Sequence, residues 1–518
     1  MKEVSLSGEE VRTRAARGAM SVFTRHALVR LMAFGGTLVL ARMIDPHTFG
    51  VFALAQFVLL LANGIAVGGV TTALTRRRET VTPLEYKTAH SIQLAVAVVI
   101  FAAVAAATPL LALAYDLTAS EALAFPALGS AVFLLASRSI PTAALQRGLR
   151  HDLVAVSEVA EYVTYVAVSI GLALAGLGLW ALVIATLLRY SVATVLLYRA
   201  AHAWPAVAFD RPIARTIVRE TLPQQAAILL GLAQRGINTT VVAAVFNPAA
   251  AGLVGMALTL LDSLVLQPLA LLANIQFRLL ARVQDDADQF RKLLGQSFFV
   301  SSVVCMPILI AAIILFPLFV TILFPPAWYE TSYLVQVLSI SSFCYLVGMP
   351  SHQALKALGD AGSLIICYIL SLVAQLVILL GVSGRFGLQG FAVANIIGTM
   401  IQMVFGLVRL RMITGRFPPL APFAGVALAA AIATTVGLGA AALVSGTAGV
   451  VAGVLFGGLG YLVALFVTSA GQMATILGLA SESLPARLAK LRGMIDALGG
   501  IADRCHVLKK RVLRDGRW

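Results

Sequence analysis

Charged side chains stand inside stretches of sequence that are mostly apolar, and Arg30, Arg138, Arg189, Arg235 and Asp262 are the candidates among them for a functional role. A charge in hydrocarbon is costly, so such residues face a bundle interior or water and mark the path of an ion or substrate. Arg189, Arg235 and Asp262 lie near the middle of their stretches. Arg30 and Arg138 lie roughly 10–12 Å from one end at 1.5 Å per residue, within reach of snorkelling. Uncharged polar residues accompany them at helical spacing. Gln224, Arg235 and Asn238 share one face, Thr259, Asp262, Ser263 and Gln267 another, Gln56 and Asn63 a third, and His26, Arg30 and Thr37 a fourth. Each stripe fits either the wall of a polar cavity or polar ties between helices. Asp262 is the one deep carboxylate and therefore the candidate for ion coupling, or for an ion pair with Arg235. Glu158 and Glu161, with Tyr162 and Tyr165, are expected to balance Arg138, Arg147 or Arg150.

These residues need helices to position them. About fourteen apolar stretches of membrane-crossing length follow one another from Phe23 to about Leu477. Backbone hydrogen bonding in lipid requires them to be helical. The connections alternate between Lys/Arg-rich and Lys/Arg-poor. One side holds 32 of the 38 basic residues and the other only Arg385, which places both termini in the cytoplasm. The expected organisation is a basic segment 1–22, a six-helix bundle 23–198, a linker 199–221, a second six-helix bundle 222–416, two additional helices 417–477 and a basic amphipathic tail 478–518.

A chain that is 60% hydrophobic and 12% charged is not a soluble globular protein. Its net charge of +15 is spread over loops and tails, which argues against nucleic acid. The cysteines Cys305, Cys344, Cys367 and Cys505 show no ligand spacing, and neither a disulfide nor a cofactor is expected. Asp286-Ala287-Asp288 has no nucleotide-binding fold around it. Short outer loops leave no room for the catalytic domain of a membrane polymerase or ligase.

The chain echoes itself. Asp45-Pro46-His47-Thr48-Phe49-Gly50 joins the first two stretches, and Asn247-Pro248-Ala249-Ala250-Ala251-Gly252 joins the seventh and eighth. Gly176-Leu177-Gly178-Leu179-Trp180 precedes the sixth, Gly387-Leu388-Gln389-Gly390-Phe391 the twelfth, and Gln146 matches Gln353. Six crossings per half keep both halves in the same orientation, a parallel repeat.

The segment from Leu40 to Ala53, with Leu145-Gln146-Arg147-Gly148-Leu149-Arg150 and Gly176 to Leu182, resembles the polysaccharide (O-antigen and exopolysaccharide) flippases of the multidrug/oligosaccharidyl-lipid/polysaccharide exporter superfamily. That resemblance implies an all-helical protein of the bacterial inner membrane. It implies two six-helix bundles in a V that open alternately to each side, and passage of an undecaprenyl-diphosphate-linked oligosaccharide from the inner to the outer leaflet. Cationic residues in the lumen are typical of the family, a character that Arg30, Arg189 and Arg235 share. On that reading Arg189 and Arg235 would hold the diphosphate, Arg30 and Arg138 would attract it, and the Gln, Asn and Thr stripes would meet sugar hydroxyls. Membrane lipids, a polymerase and glycosyltransferases are the implied partners. A lipid II flippase shares the architecture. A cation-coupled multidrug exporter would need more carboxylates in its lumen.

Overall fold

The computed structural model describes residues 32, 35–67, 70, 74, 81–148, 150–202, 206–418, 420–444, 446–483 and 496–504, with some side chains inside helices left out. The first expected crossing is described chiefly at 35–44, and the tail beyond the last long helix only at 496–504. Arg30 lies outside these residues. So do the side chains of Gln224, Arg235, Asn238 and Gln267. The described chain is helical. Eleven helices are long and apolar enough to cross a membrane, and Pro248–Leu261 is a shorter apolar helix.

The chain divides into two compact units, Met1–Met256 and Ala257–Trp518. In the first, after the helical residues 35–41, come α1 (Pro46–Val67), α2 (Pro83–Ala114), α3 (Ala119–Arg147), α4 (His151–Leu174), α5 (Leu179–Ala201) and α6 (Arg211–Val245), with the start of α7 (Pro248–Leu261). The second holds α8 (Gln267–Arg282), α9 (Ala287–Leu323), α10 (Tyr329–Ala357), α11 (Gly362–Gly381), α12 (Phe386–Thr414), α13 (Ala421–Leu443) and α14 (Gly446–Ser483). In the second unit, α13 and α14 cross closely, and a Cβ at Gly453 would stand 2.8 Å from Gly437 O.

The linker is shorter than its polarity suggests. His202 ends α5 in the left-handed conformation, and Asp210 caps α6 by accepting from Ile213 N at 3.0 Å. Helix α6 therefore starts about three turns before the apolar run that marks it in the sequence. Ile213 and Ile217 pack with Val70, Leu74, Ala89 and Ala143, which stabilises that first part. The extended residues between are pinned to α2, where His90 Nδ1 donates to Ala206 O and Ser91 Oγ donates to Ala208 O at 2.7 Å. The expected eighth crossing is also interrupted. Asp262–Leu266 forms a π turn between α7 and α8. Pro268 has no amide hydrogen to complete the α-helical ladder, and the turn before it widens.

The first echo has a chemical reason at each position. Asp45 accepts from Thr48 N at 3.0 Å and from Thr48 Oγ1 at 2.8 Å, and Asn247 accepts from Ala250 N at 2.8 Å. Both are helix N-caps, and each following proline fills the first helical position, where a missing amide hydrogen costs nothing. Gly50 and Gly252 are the crossing point. A Cβ at Gly50 would overlap Pro248 O, and one at Gly252 would overlap Pro46 O. Each would also come within 3.0 Å of the other glycine's amide nitrogen. The contact is reciprocal, so a local two-fold relates the two hairpins.

Backbone geometry also fixes the register of the later repeat. Arg150 N bonds to Leu145 O, and Asp360 N bonds to Leu355 O, both at 2.9 Å. Gly178 and Gly387 share a positive φ, 51° and 53°, with ψ of −120° and −140°. Gly178, rather than Gly176, is therefore the counterpart of Gly387, and Gln146 aligns with Lys356 rather than Gln353. The motif letters alone slide by two or three positions, because several small or polar residues satisfy the same turn.

Gly50→Ala and Gly252→Ala are each expected to destabilise the protein by about 1–3 kcal/mol through overpacking, whereas Gly171→Ala, with nothing near its Cβ, leaves stability unchanged or raises it. Thermal unfolding of the purified variants in detergent is the measurement. At the caps, Asp45→Asn should keep stability within a few tenths of a kcal/mol and Asp45→Ala should lose about 1 kcal/mol. Burial raises the Asp45 pKa, but the Thr48 hydrogen bonds outweigh it and hold it below the ordinary carboxylate value. The carboxylate's contribution is thus present above that ordinary value and lost as pH falls through the depressed one, and Asp45→Asn should remove this acid sensitivity.

Candidate functional site

Three helices of the first unit bring two arginines onto one carboxylate. Arg138 extends from α3, Glu161 from α4 and Arg189 from α5. Arg138 Nη1 donates to Glu161 Oε2 at 2.7 Å. Arg189 Nε stands 4.0 Å from Glu161 Oε1, an electrostatic approach too long for a hydrogen bond. The side chains of Arg189 and Glu161 are 12% and 10% exposed, against 28% for Arg138. The cluster is therefore sheltered, with Arg138 on its open side.

Tyrosines complete it. The Arg189 guanidinium carbon lies 4.7 Å from the centre of the Tyr165 ring and 4.5 Å from that of Tyr190. Its Nη2 donates to the Tyr190 hydroxyl at 2.8 Å. Arg138 lies 5.0 Å from the centre of the Tyr190 ring. Aromatic faces attract cations, and more strongly once desolvated. One donor is left over: among the described residues, the buried Nε of Arg189 has no hydrogen-bond partner. Two guanidinium groups against Glu161 leave one net positive charge among the three.

The sequence assembles this site by helical spacing. Glu158, Glu161, Tyr162 and Tyr165 form one stripe of α4, and the adjacent pair Arg189-Tyr190 meets it from α5. Ties between neighbouring helices hold the stripes in register. Tyr198 Oη donates to Ser137 O, and Ser139 Oγ donates to Gln93 Oε1 at 2.7 Å. The expectation that Glu161 balances Arg138 describes the contact seen, and Arg138 bonds inward instead of snorkelling. Tyr190 is the residue that sequence reasoning missed. Its neighbour Arg189 was the available signal, since a buried guanidinium needs an acceptor and a π face.

Other candidates lie elsewhere. Gln56 and Asn63 are half-buried on α1, Thr259 is exposed on α7, and half-buried Asp262 opens the π turn. Among the described residues of the first unit, no hydrogen bond, ion pair or ring contact of the arginine cluster involves Gln56 or Asn63. Arg30, and the side chains of Arg235, Gln224, Asn238 and Gln267, lie outside the described residues, so the proposed Arg235–Asp262 contact does too.

The second unit carries an uncharged counterpart. The register set by Leu355 and Gly387 takes Glu161 to Ser371, Tyr165 to Gln375 and Arg189 to Gly398. These three also touch. Ser371 Oγ donates to Gly398 O at 2.9 Å, and Gln375 Nε2 donates to Ser371 Oγ at 3.3 Å. The Gln375 side chain occupies the space over Gly398 that a Cβ would fill. Gln402 Nε2 adds a bond to Ser371 Oγ at 2.9 Å, and His352 Nε2 donates to Gln402 O at 3.0 Å. Two of these three positions are therefore charged in one half, and all three are neutral in the other.

The chain is similar to a lipid II flippase, MurJ, in an inward closed conformation, with a TM-score of 0.69 and 13% identity over 87% of this chain and 98% of that one. It is also similar to a multidrug resistance MATE family transporter of the MOP superfamily in an inward-facing conformation, with a TM-score of 0.58 and 15% identity over 76% of this chain and 94% of that one. No curated protein matches at the level of sequence. The family described as polysaccharide biosynthesis protein matches residues 39–333, more than half of the chain. The chain belongs to that family, and eleven of its described helices are long and apolar enough to cross a membrane.

Tyr190→Phe removes the acceptor of Arg189 Nη2 while keeping the ring. It is expected to cost about 1–3 kcal/mol, the range for a buried polar group left unsatisfied. The check is chemical or thermal unfolding of the purified protein against wild type.

Proposed function

We propose that the protein moves an undecaprenyl-diphosphate-linked oligosaccharide from the cytoplasmic to the outer leaflet of the bacterial inner membrane. Both termini are cytoplasmic, and exchange proceeds by alternating access. The observation that carries this reading is the arginine pair Arg138 and Arg189 with its unfilled Nε donor. A diphosphate offers several strong acceptor oxygens and more than one negative charge, which suits two planar guanidinium groups better than any neutral headgroup would. The family match to polysaccharide biosynthesis supports a sugar-bearing cargo, and the exporter fold supports movement rather than chemistry on it.

Arg138, on the open side, meets the headgroup first and Arg189 holds it. The polar stripes containing Gln56 and Asn63, and those of Gln224, Asn238, Thr259 and Gln267, would meet the sugar hydroxyls, while the polyprenyl chain stays among lipid tails. Arg30 and Arg235 would add to the positive potential. Asp262, at a π turn of the kind often found at functional positions, is the proposed site of ion coupling.

The test is reconstitution into vesicles with undecaprenyl-diphosphate-linked oligosaccharide, its outward movement followed by accessibility of the sugar to a lectin. Arg189→Ala should reduce movement at least tenfold, and Arg189→Lys should retain part of it. Lipid II in the same vesicles should move more slowly. Normal transport by Arg189→Ala would overturn the reading, and faster movement of lipid II would overturn the assigned cargo.

A further inference from the structure

We infer that Glu161 is a resident counter-ion that sets the charge a headgroup must carry to enter the arginine site. The inference rests on the function proposed above and concerns the same cluster. Glu161 is the carboxylate shared by both arginines, but it serves them unequally. It bonds Arg138 at 2.7 Å and leaves Arg189 Nε at 4.0 Å without a hydrogen bond. A single carboxylate is too small to satisfy both guanidinium groups where the helices hold them. An anion with acceptor oxygens spread over two phosphate groups spans that gap and bonds both.

Charge decides which ligands succeed. The ligand must take over interactions that Glu161 already makes in a sheltered place, where charge–charge terms exceed those in water. A monophosphate gains little by replacing one carboxylate with another anion of similar charge. A diphosphate brings more charge and fills the vacant Arg189 donor. Glu161 therefore weakens binding of every anion by cancelling one positive charge, and the less charged anion, which starts with the weaker attraction, is the one left without useful affinity. Specificity comes from a built-in competitor as well as from attraction. The counterpart position in the second unit is Ser371, bonded to Gly398, Gln375 and Gln402, and no guanidinium bonds that network among the described residues. A carboxylate occurs at the position where arginines require one.

The experiment measures binding of undecaprenyl monophosphate and undecaprenyl diphosphate to the full-length protein in nanodiscs, for wild type, Glu161→Gln and Glu161→Asp. Wild type should prefer the diphosphate. Glu161→Gln should bind both lipids more tightly and raise monophosphate affinity about tenfold or more, a change of about 1.4 kcal/mol, so that a lipid wild type holds only weakly becomes a ligand. Glu161→Asp, which keeps the charge, should hold the monophosphate about as weakly as wild type. If Glu161→Gln does not fold, Glu161→Ser, which puts the residue of the counterpart position there and keeps both arginines, should show the same gain in monophosphate affinity. Monophosphate affinity unchanged from wild type, or weaker diphosphate binding, in the variant that folds overturns the inference. The two failures are separable: diphosphate binding that survives Arg189→Ala sinks the proposed function, whereas binding lost in Arg189→Ala with monophosphate affinity unchanged in Glu161→Gln sinks only the role of Glu161.

Discussion

A guanidinium group inside a helical bundle needs company, and that requirement organises the first half of this protein. Arg189 is held near the middle of α5 because α4 brings the Glu161 carboxylate and the Tyr165 ring, and its own neighbour Tyr190 adds a second aromatic face and a hydroxyl. Each of these lowers the cost of keeping the charge away from water. None removes it entirely, and one nitrogen stays unbonded. The remaining positive character is what an anionic cargo would use. Stability and recognition draw on the same few atoms here, so changes to the tyrosines and to the carboxylate act on both.

The two halves show how a duplicated scaffold separates these roles. Cap geometry, positive-φ glycines and the reciprocal crossing at Gly50 and Gly252 recur at corresponding turns of the two halves. At the positions where the first half meets through Glu161, Tyr165 and Arg189, the second meets through Ser371, Gln375 and Gly398. Hydrogen bonds between neutral groups close that second contact without leaving net charge. One half has kept the position as packing, while the other holds ions there. Among the described residues, the arginine cluster of the first half thus has no charged counterpart at the matching positions of the second.

Much of this was legible in the sequence, for definite reasons. Hydrophobic length revealed the crossings, and the isolated charges Arg138 and Arg189 announced themselves against an apolar background. The stripe of Glu158, Glu161, Tyr162 and Tyr165 signalled a polar face directed at those charges. What the sequence hid depends on three-dimensional contact. The glycines of the Asx-Pro hairpins look like punctuation until their Cβ positions are found to fall on another backbone. The true start of α6 is set by Ile213 and Ile217 docking on distant residues, which no local hydropathy window sees. Tyr190 lacks any spacing signal of its own. The repeat register slid because turns accept several residue types, whereas the φ of Gly178 and Gly387 admits few.

The π turn at Asp262–Leu266 has a mechanical meaning beyond its local cause. Such a turn stores one residue more than a regular α-helical turn. Shifting that surplus residue along the helix rotates each side chain it passes by about 100° while the helix axis stays in place. The segment thus behaves as a swivel, able to re-aim the carboxylate of Asp262 without unfolding the helices on either side.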